Sequence, residues 1–151
     1  MTPSLEPLFT IDIQVHAPIS TGRGPLDEVR VIPFDAGTFS GLGLQGRLLD
    51  GGTDWQTVRA DGVIEIRAHY LLETEEHERI EVISEGVRDA TTDVLQRITS
   101  GEVVPADEYY FRTFIRLRTM APRLEHLNRR LCVAAGERRR DSVRIHVSML
   151  R

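Results

Sequence analysis

The stretch Ile64-Glu65-Ile66-Arg67-Ala68-His69-Tyr70-Leu71-Leu72 shows the clearest periodicity in the chain. Apolar side chains stand at every second position from Ile64 to Leu72, and Glu65, Arg67 and His69 fill positions between them. Successive side chains of a β-strand point to opposite faces, so this period of two predicts a strand with one apolar and one polar face. Tyr70 falls on the apolar face of that strand.

The same alternation recurs over most of the chain. Turn-forming sequences such as Gly22-Arg23-Gly24-Pro25 separate the alternating runs. Further strands are predicted at 9–15, 28–34, 38–49, 79–88, 109–119, 129–136 and 143–149. About eight strands joined by short turns predict an all-β fold, either a closed antiparallel barrel or a sandwich. The length of 151 residues suits one domain that spans 1–151.

Two segments have a helical pattern. Residues 90–99 carry Val94, Leu95 and Ile98 at helical spacing, with Thr91 or Thr92 available as an N-cap and Gly101 as a stop. A short helical turn is predicted at 122–128. The sequence therefore predicts one short helix beside the strands.

Composition excludes several function classes. The net charge of −4 disfavours nucleic acid as a main partner, because phosphate binding needs a basic face. No apolar run approaches the roughly 18 residues of a membrane helix. The first residues lack the pattern of a signal peptide, so a cytoplasmic location is expected, with no membrane partner. All 19 basic residues are arginine, which excludes a Schiff-base or P-loop lysine from this chain.

The segment from Gly51 to Gly62 concentrates candidate functional groups. It holds Trp55, the only tryptophan, together with Asp54, Asp61 and an arginine. Glycine at both ends suits tight turns, so the segment is interpreted as a loop at the rim of the scaffold. This loop is where a ligand is expected.

Several short motifs resemble one family closely. They include Ala36-Gly37-Thr38-Phe39-Ser40-Gly41, Gly51-Gly52-Thr53-Asp54-Trp55, Arg59-Ala60-Asp61-Gly62, Tyr109-Tyr110-Phe111-Arg112-Thr113 and Leu127-Asn128. The chain is similar over nearly its whole length to the family known as domain of unknown function three-two-three-seven. The resemblance implies an antiparallel β-barrel with little helix, often a homodimer, and it implies no established reaction.

The chain departs from the usual pattern of that family at a few positions. A stretch that commonly reads Asp-Ala-Arg-Tyr is Arg67-Ala68-His69-Tyr70 here, and a tryptophan that usually precedes Leu-Asn is His126. If the usual residues contact ligand, Arg67, His69 and His126 change the chemistry of the pocket. Asn128 stays in its motif position, so it joins the candidate ligand-binding residues.

The acidic candidates are Asp54 and Asp61. A carboxylate held near an aromatic ring and away from water has a raised pKa and can act as an acid or base. The alternative is that both residues bond backbone amides in turns, as an Asp before Gly62 commonly does.

Arg59 and Arg112 are the basic candidates. The planar guanidinium can bind a carboxylate or stabilise an enolate oxygen. The alternative for Arg59 is an ion pair with Asp54 or Asp61. Arg112 alternates with apolar residues, and a slip of one residue would exchange the two faces, so the sequence leaves open whether it points inward.

The remaining candidates are aromatic or imidazole groups. Trp55, Tyr70 and Tyr110 could line a pocket, and a tyrosine hydroxyl can donate to a carbonyl or simply reach out of the core. His69 and His126 are acid–base candidates. The histidines show no spacing typical of a metal site, and Gly41–Gly46 is followed by no helix that would make it a dinucleotide fingerprint. No metal and no cofactor are therefore predicted.

Together these features favour a hollow barrel that holds a small molecule. The leading hypothesis is a cofactor-independent isomerase, cyclase or lyase that acts on a carbonyl-bearing or acidic metabolite. Asp54 would be the acid or base, with Arg59, Arg112 and His69 beside it. The alternative hypothesis is a non-catalytic carrier or sensor with the same pocket.

Overall fold

The computed structural model describes residues 1–151 and consists mostly of β-strand. The α-helix α1 spans Thr92–Thr99, and two 3₁₀ helices span Ala106–Glu108 and Pro122–Arg129. The strands are β1 (Leu5–Val15), β2 (Ile19–Ser20), β3 (Glu28–Gly41), β4 (Leu44–Leu48), β5 (Thr53–Val58), β6 (Ile64–Thr74), β7 (Arg79–Asp89), β8 (Tyr110–Thr119), β9 (Leu131–Arg138) and β10 (Ser142–Leu150).

The strands form one antiparallel sheet that closes on itself. From β1 the order runs through β10, β9, β8, β7 and β6, and β3 closes the ring by pairing with β1. Between β3 and β6 lie β4 and β5, and each of them pairs with β3 on one side and with β6 on the other. These two short strands together fill one position of the wall. The barrel therefore has eight wall positions, and β2 adds a short strand at the edge of β3. This confirms the predicted closed antiparallel barrel.

Two segments differ from the sequence prediction. Residues 28–41 form one continuous strand, because the reversal falls at Leu42 and Gly43, whose φ angles are 44° and 75°. The interpretation of 51–62 as a loop is wrong over Thr53–Val58, which is β5 and is paired on both edges. This second difference decides where Asp54 points.

The predicted short helix is confirmed with nearly the expected bounds. The hydroxyl of Thr91 accepts a hydrogen bond of 3.3 Å from the backbone N–H of Val94, and Gly101 follows the helix with a φ of 89°. Val94 is buried in the core, and Ile98 packs partly against it. No helix of the chain is both long and apolar enough to cross a lipid bilayer.

One end of the barrel is packed solid. Leu72, Ile80, Ile115 and Leu127 are all 0% exposed, and the first three come from adjacent strands. The second 3₁₀ helix supplies Leu127 to this core. This apolar end, defined by these four residues, is called the closed end below.

Candidate active site

The other end of the barrel contains a cavity of about 370 Å³. Its walls come from the first parts of β3, β6, β8 and β10, from β5, and from the final parts of β1, β7 and β9. The last turn of α1 and the two residues that follow it also line the cavity. Small-molecule sites typically measure about 300–1,000 Å³, so the cavity has the size of a ligand site. The polar residues that line it are Arg30, Asp54, Gln56, Tyr70, Ser84, Arg88, Thr99, Ser100, Thr113, Arg138, Arg140 and Asp141.

Asp54 points into this cavity because β5 is a strand. Asp54 and Gln56 are both buried, and Trp55 between them is 48% exposed on the outer face. One carboxylate oxygen of Asp54 accepts a hydrogen bond of 2.7 Å from Gln56 Nε2, and the other accepts one of 3.2 Å from the backbone N–H of Arg67.

The surroundings of Asp54 shift its acidity. Burial raises the pKa of Asp54 above its ordinary value, against the opposing effects of its two hydrogen bonds and of the charges on Arg88 and Arg30. The carboxyl group is therefore a weaker acid than an exposed aspartate.

Arg30 holds the orientation of this carboxylate through Gln56. Arg30 lies directly opposite Gln56 in the pairing of β3 with β5. Its Nη2 and Nε atoms donate hydrogen bonds of 2.5 and 3.2 Å to Gln56 Oε1, while Gln56 Nε2 donates to Asp54. The amide of Gln56 thus bridges the guanidinium and the carboxylate.

Arg88 is the most buried cation at the cavity. It is 7% exposed, and its Nε has no hydrogen-bond partner. Burial and then the charges of Arg138 and Arg30 lower the pKa of Arg88 to about 10, and the charge of Asp54 acts in the opposite direction. Thr113 Oγ1 is the other buried side-chain polar atom without a partner, and Thr113 lines the same cavity.

Tyr70 places a hydroxyl-bearing ring in the same wall. Its ring meets Phe34 edge to face at a centroid distance of 5.4 Å. Glycine is needed at position 52, because a Cβ there would lie 2.7 Å from the Tyr70 Cβ and 2.9 Å from a Phe34 ring carbon. Burial raises the pKa of Tyr70, so its phenol stays protonated and can donate a hydrogen bond.

The structure brings only Asp54 and Tyr70 of the predicted site residues to the cavity lining. Arg67 contributes its backbone N–H to Asp54, but its side chain is on the exposed face of β6. Arg59 and Asp61 pair with each other at 2.5 Å in the exposed turn between β5 and β6. The internal pairing considered for Arg59 therefore involves Asp61 and lies outside the barrel.

Three further candidates lie on the outer face of the barrel. Each occupies a strand position between two residues that point inward. Arg112 is exposed, and its guanidinium carbon stands 5.3 Å from the ring centroid of Tyr110, which is 52% exposed. His69 Nε2 lies 2.9 Å from Glu81 Oε2 on the outside of β6 and β7. None of these three side chains meets Asp54 in the cavity.

The last two candidates belong to the closed end. His126 is exposed on the second 3₁₀ helix. The side chain of Asn128 accepts a hydrogen bond of 2.7 Å from the Thr119 N–H and donates one of 2.8 Å to the Thr119 carbonyl. Asn128 thus fixes the end of β8 and lies away from the cavity.

Sequence reasoning missed Arg30, Gln56, Arg88, Thr113 and Arg138. The available signal was the period of two: Gln56 is two residues from Asp54, and Arg88 continues the inward series of Ile80, Val82 and Ser84. The structure contains no group of three or more His, Cys, Asp or Glu side chains arranged to hold a metal ion.

The fold and cavity define a class of small antiparallel barrel that is solid at one end and has a polar pocket of ligand size at the other. The chain belongs to the family described as "Protein of unknown function (DUF3237)", whose model matches residues 3–150. The family predicted from the sequence motifs is thereby confirmed.

Known relatives agree in sequence and in structure. A "UPF0311 protein" of Rhodopseudomonas palustris is 34% identical over 149 residues, which cover 97% of each chain. A crystal structure of a conserved protein of unknown function from the same species covers 100% of this chain and 99% of its own, with 30% identity and a TM-score of 0.95. A structure titled "an enzyme from Penicillium herquei" covers 100% and 96%, at 18% identity and a TM-score of 0.76, which shows a shared fold alone.

Proposed function

We propose that the barrel binds a small carbonyl-bearing or acidic metabolite and acts on it by proton transfer, as a cofactor-independent isomerase, cyclase or lyase. The observation that carries this proposal is Asp54, a buried carboxylate of raised pKa that lines a cavity of about 370 Å³. A buried acid with a shifted pKa in a ligand-sized pocket is typical of a group used for acid–base chemistry.

The arrangement around Asp54 suits removal of a proton from carbon next to a carbonyl group. An acid whose pKa is raised toward the working pH is a stronger base when ionised and a usable acid when protonated. The enolate oxygen that forms in such a step is stabilised by nearby donors. Tyr70 lines the same cavity, and its protonated phenol supplies such a donor.

The bridge through Gln56 supports the same role. General acid–base catalysis needs a carboxylate of fixed orientation. Gln56 and the backbone N–H of Arg67 engage the two oxygens of Asp54, and Arg30 fixes Gln56. Each carboxylate oxygen of Asp54 accepts only one of these hydrogen bonds, so lone pairs remain free to accept a substrate proton.

Hydrogen–deuterium exchange at carbon tests this proposal without knowledge of the natural substrate. The protein is incubated in D₂O with a panel of aryl-substituted 1,3-diketones and β-keto acids, and NMR follows loss of the α-proton signal. The wild-type protein is expected to accelerate exchange of at least one compound. Asp54→Asn is expected to slow that exchange by about 100-fold or more, the usual size of a general-base contribution.

Glu65→Gln is the matched control, since it also replaces a carboxylate by an amide, but on the exposed face of β6. The Glu65→Gln variant is expected to catalyse exchange at the wild-type rate. Equal exchange by the wild type and Asp54→Asn would remove Asp54 from the catalytic role. Tight binding of panel compounds without any exchange would favour the carrier or sensor hypothesis.

A further inference from the structure

The two buried polar atoms that lack partners point to one spot in the cavity wall. They are Arg88 Nε and Thr113 Oγ1, and both residues line the cavity. β7 and β8 are adjacent strands, and Gly86, two residues before Arg88, pairs with Thr113. Buried donors in folded proteins are nearly always hydrogen-bonded, so a neighbouring pair without partners marks a place that a ligand can satisfy.

The charged residues of the cavity indicate the charge of that ligand. Four arginines line it, namely Arg30, Arg88 and Arg138, which are buried or half-buried, and the exposed Arg140. The acids of the lining are the buried Asp54 and the exposed Asp141. Burial of a cation without a counter-charge is strongly unfavourable. An anion that enters the cavity would therefore find an uncompensated positive charge.

Among the buried and half-buried arginines of the lining, Arg88 alone forms no side-chain hydrogen bond. Arg30 donates twice to Gln56, and Arg138 Nη1 donates a hydrogen bond of 3.1 Å to the Ser142 carbonyl. Arg88 has its Nε unpaired and its side chain more than nine-tenths buried. One free planar guanidinium matches one planar, singly charged oxyanion.

The rest of the lining describes the remainder of the molecule. Ile66, Ala68, Phe111 and Ile145 line the cavity with apolar groups. Such walls favour an apolar body beside the charged group.

We propose that the ligand is a small organic acid whose carboxylate docks on Arg88, with the Thr113 hydroxyl as a second donor and an apolar body against the aliphatic and aromatic walls. This inference deepens the proposed function and rests on it in so far as the cavity is the ligand site. It assigns to Arg88 the anchoring role that the sequence motifs had suggested for Arg59 and Arg112.

Calorimetric titration with a matched pair of probes tests the inference. The probes are naphthalene-2-carboxylate and its uncharged analogue naphthalene-2-carboxamide, with inorganic phosphate as a third. The wild-type protein is expected to bind the carboxylate about 10- to 100-fold more tightly than the amide, the range for a buried charged hydrogen bond. Phosphate, which has no apolar body, is expected to bind more weakly than the carboxylate.

Arg88→Met, which keeps much of the side-chain volume, is expected to abolish the preference for the carboxylate. Its melting temperature is expected to equal or exceed that of the wild type, because the variant removes a buried charge without a partner. Arg116→Met on the exposed face of β8 is the matched control and is expected to keep the preference. Thr113→Val is a second variant, expected to weaken carboxylate binding several-fold while leaving the amide unchanged.

The outcomes separate this inference from the proposed function. Carboxylate binding that is undetectable, no tighter than that of the amide, or weaker than that of phosphate would overturn the inference even if carbon exchange depends on Asp54. A preserved carboxylate preference with exchange that is independent of Asp54 would overturn only the proton-transfer proposal. An Arg88→Met variant that folds and keeps the preference would remove Arg88 as the anchor.

Discussion

The two ends of the barrel are built from the same strands but have opposite contents. On β7, Ile80 is 0% exposed within the closed end, whereas Arg88, at the other end of the strand, lines the cavity. On β6, Leu72 belongs to the closed end and Ile66 to the cavity wall. Tight apolar packing therefore lies at one end of the barrel axis, and the polar cavity lies at the other end of the same domain.

Two buried carboxylates differ in whether they have a counter-charge. Glu73, near the closed end, is paired with Arg79 and Arg47, each at 3.1 Å, and these arginines hold its pKa below the ordinary value. Asp54 forms no such pair, and burial raises its pKa. One carboxylate is stabilised in its charged form and serves the structure, whereas the other is kept in an environment that resists its charge.

Truncation of one isoleucine at each end should give the largest difference between them. Ile115 is 0% exposed in the closed end, and Ile145 is 8% exposed beside the cavity. Ile115→Ala is expected to lower the free energy of unfolding by about 4 kcal/mol and Ile145→Ala by about 2 kcal/mol, within the range for such truncations. Ile145 loses less because part of its surface already borders open space.

Urea denaturation monitored by circular dichroism measures both losses. The comparison assumes that the two variants unfold in one cooperative transition with similar m-values. If Ile145→Ala loses as much stability as Ile115→Ala, the two ends of the barrel are equally well packed.

The pH dependence of stability should have opposite signs for the two carboxylates. The native pKa of Asp54 lies above the ordinary value of 3.8, so between those two pH values the native state keeps a proton that the unfolded state has released. Stability due to Asp54 therefore falls as pH rises through that window. The native pKa of Glu73 lies below its ordinary value of 4.5, so the stability it contributes is lost as pH falls through the folded pKa.

Denaturation curves of Asp54→Asn and Glu73→Gln from acid to neutral pH check this. The stability of the wild type relative to Asp54→Asn is expected to decrease as pH rises, and that relative to Glu73→Gln is expected to increase. A difference between the wild type and Asp54→Asn that is constant with pH would show that burial leaves the acidity of Asp54 unchanged.

The fold could be predicted from the sequence because its signal is local. A period of two in segments such as 64–72 requires only that one face of each strand be apolar, and the barrel buries that face. The short helix was predictable for the same reason, because the Thr91 cap and the Gly101 stop are local features. Closure into a barrel then followed from the family resemblance.

The candidate site could be predicted only in part, because it is assembled from distant positions. Arg30, Asp54, Arg88 and Arg138 lie on four strands, and no local pattern shows that they share one cavity. The glycines on either side of Asp54 suggested a loop. Side chains alternate between two faces only in a strand, so the loop interpretation hid the fact that Asp54 and Gln56 point to the same side. Arginine is usually exposed, so Arg30, Arg88 and Arg138 were expected to point to solvent and not into the barrel.

The smallest effect is expected for Arg112, which the sequence pattern placed in the ligand site. Its side chain is exposed on the outer face of β8 above the Tyr110 ring, a contact worth about 0.5–1 kcal/mol at an exposed site. Arg112→Gln is therefore expected to lower the free energy of unfolding by about 1 kcal/mol, because it removes the ring contact and the hydrogen bond from Nη1 to the Phe111 carbonyl. Binding of naphthalene-2-carboxylate should stay within about twofold of the wild type, since twofold is only about 0.4 kcal/mol.

The same calorimetric titration that tests Arg88→Met measures this variant. The two substitutions each remove one guanidinium from a barrel strand, and they differ in which face of the wall carries it. Loss of carboxylate binding in Arg112→Gln as large as in Arg88→Met would mean that the outer face of β8 shares in the site. The interior cavity would then no longer account for ligand recognition, because a charge on the far side of the wall is screened by water.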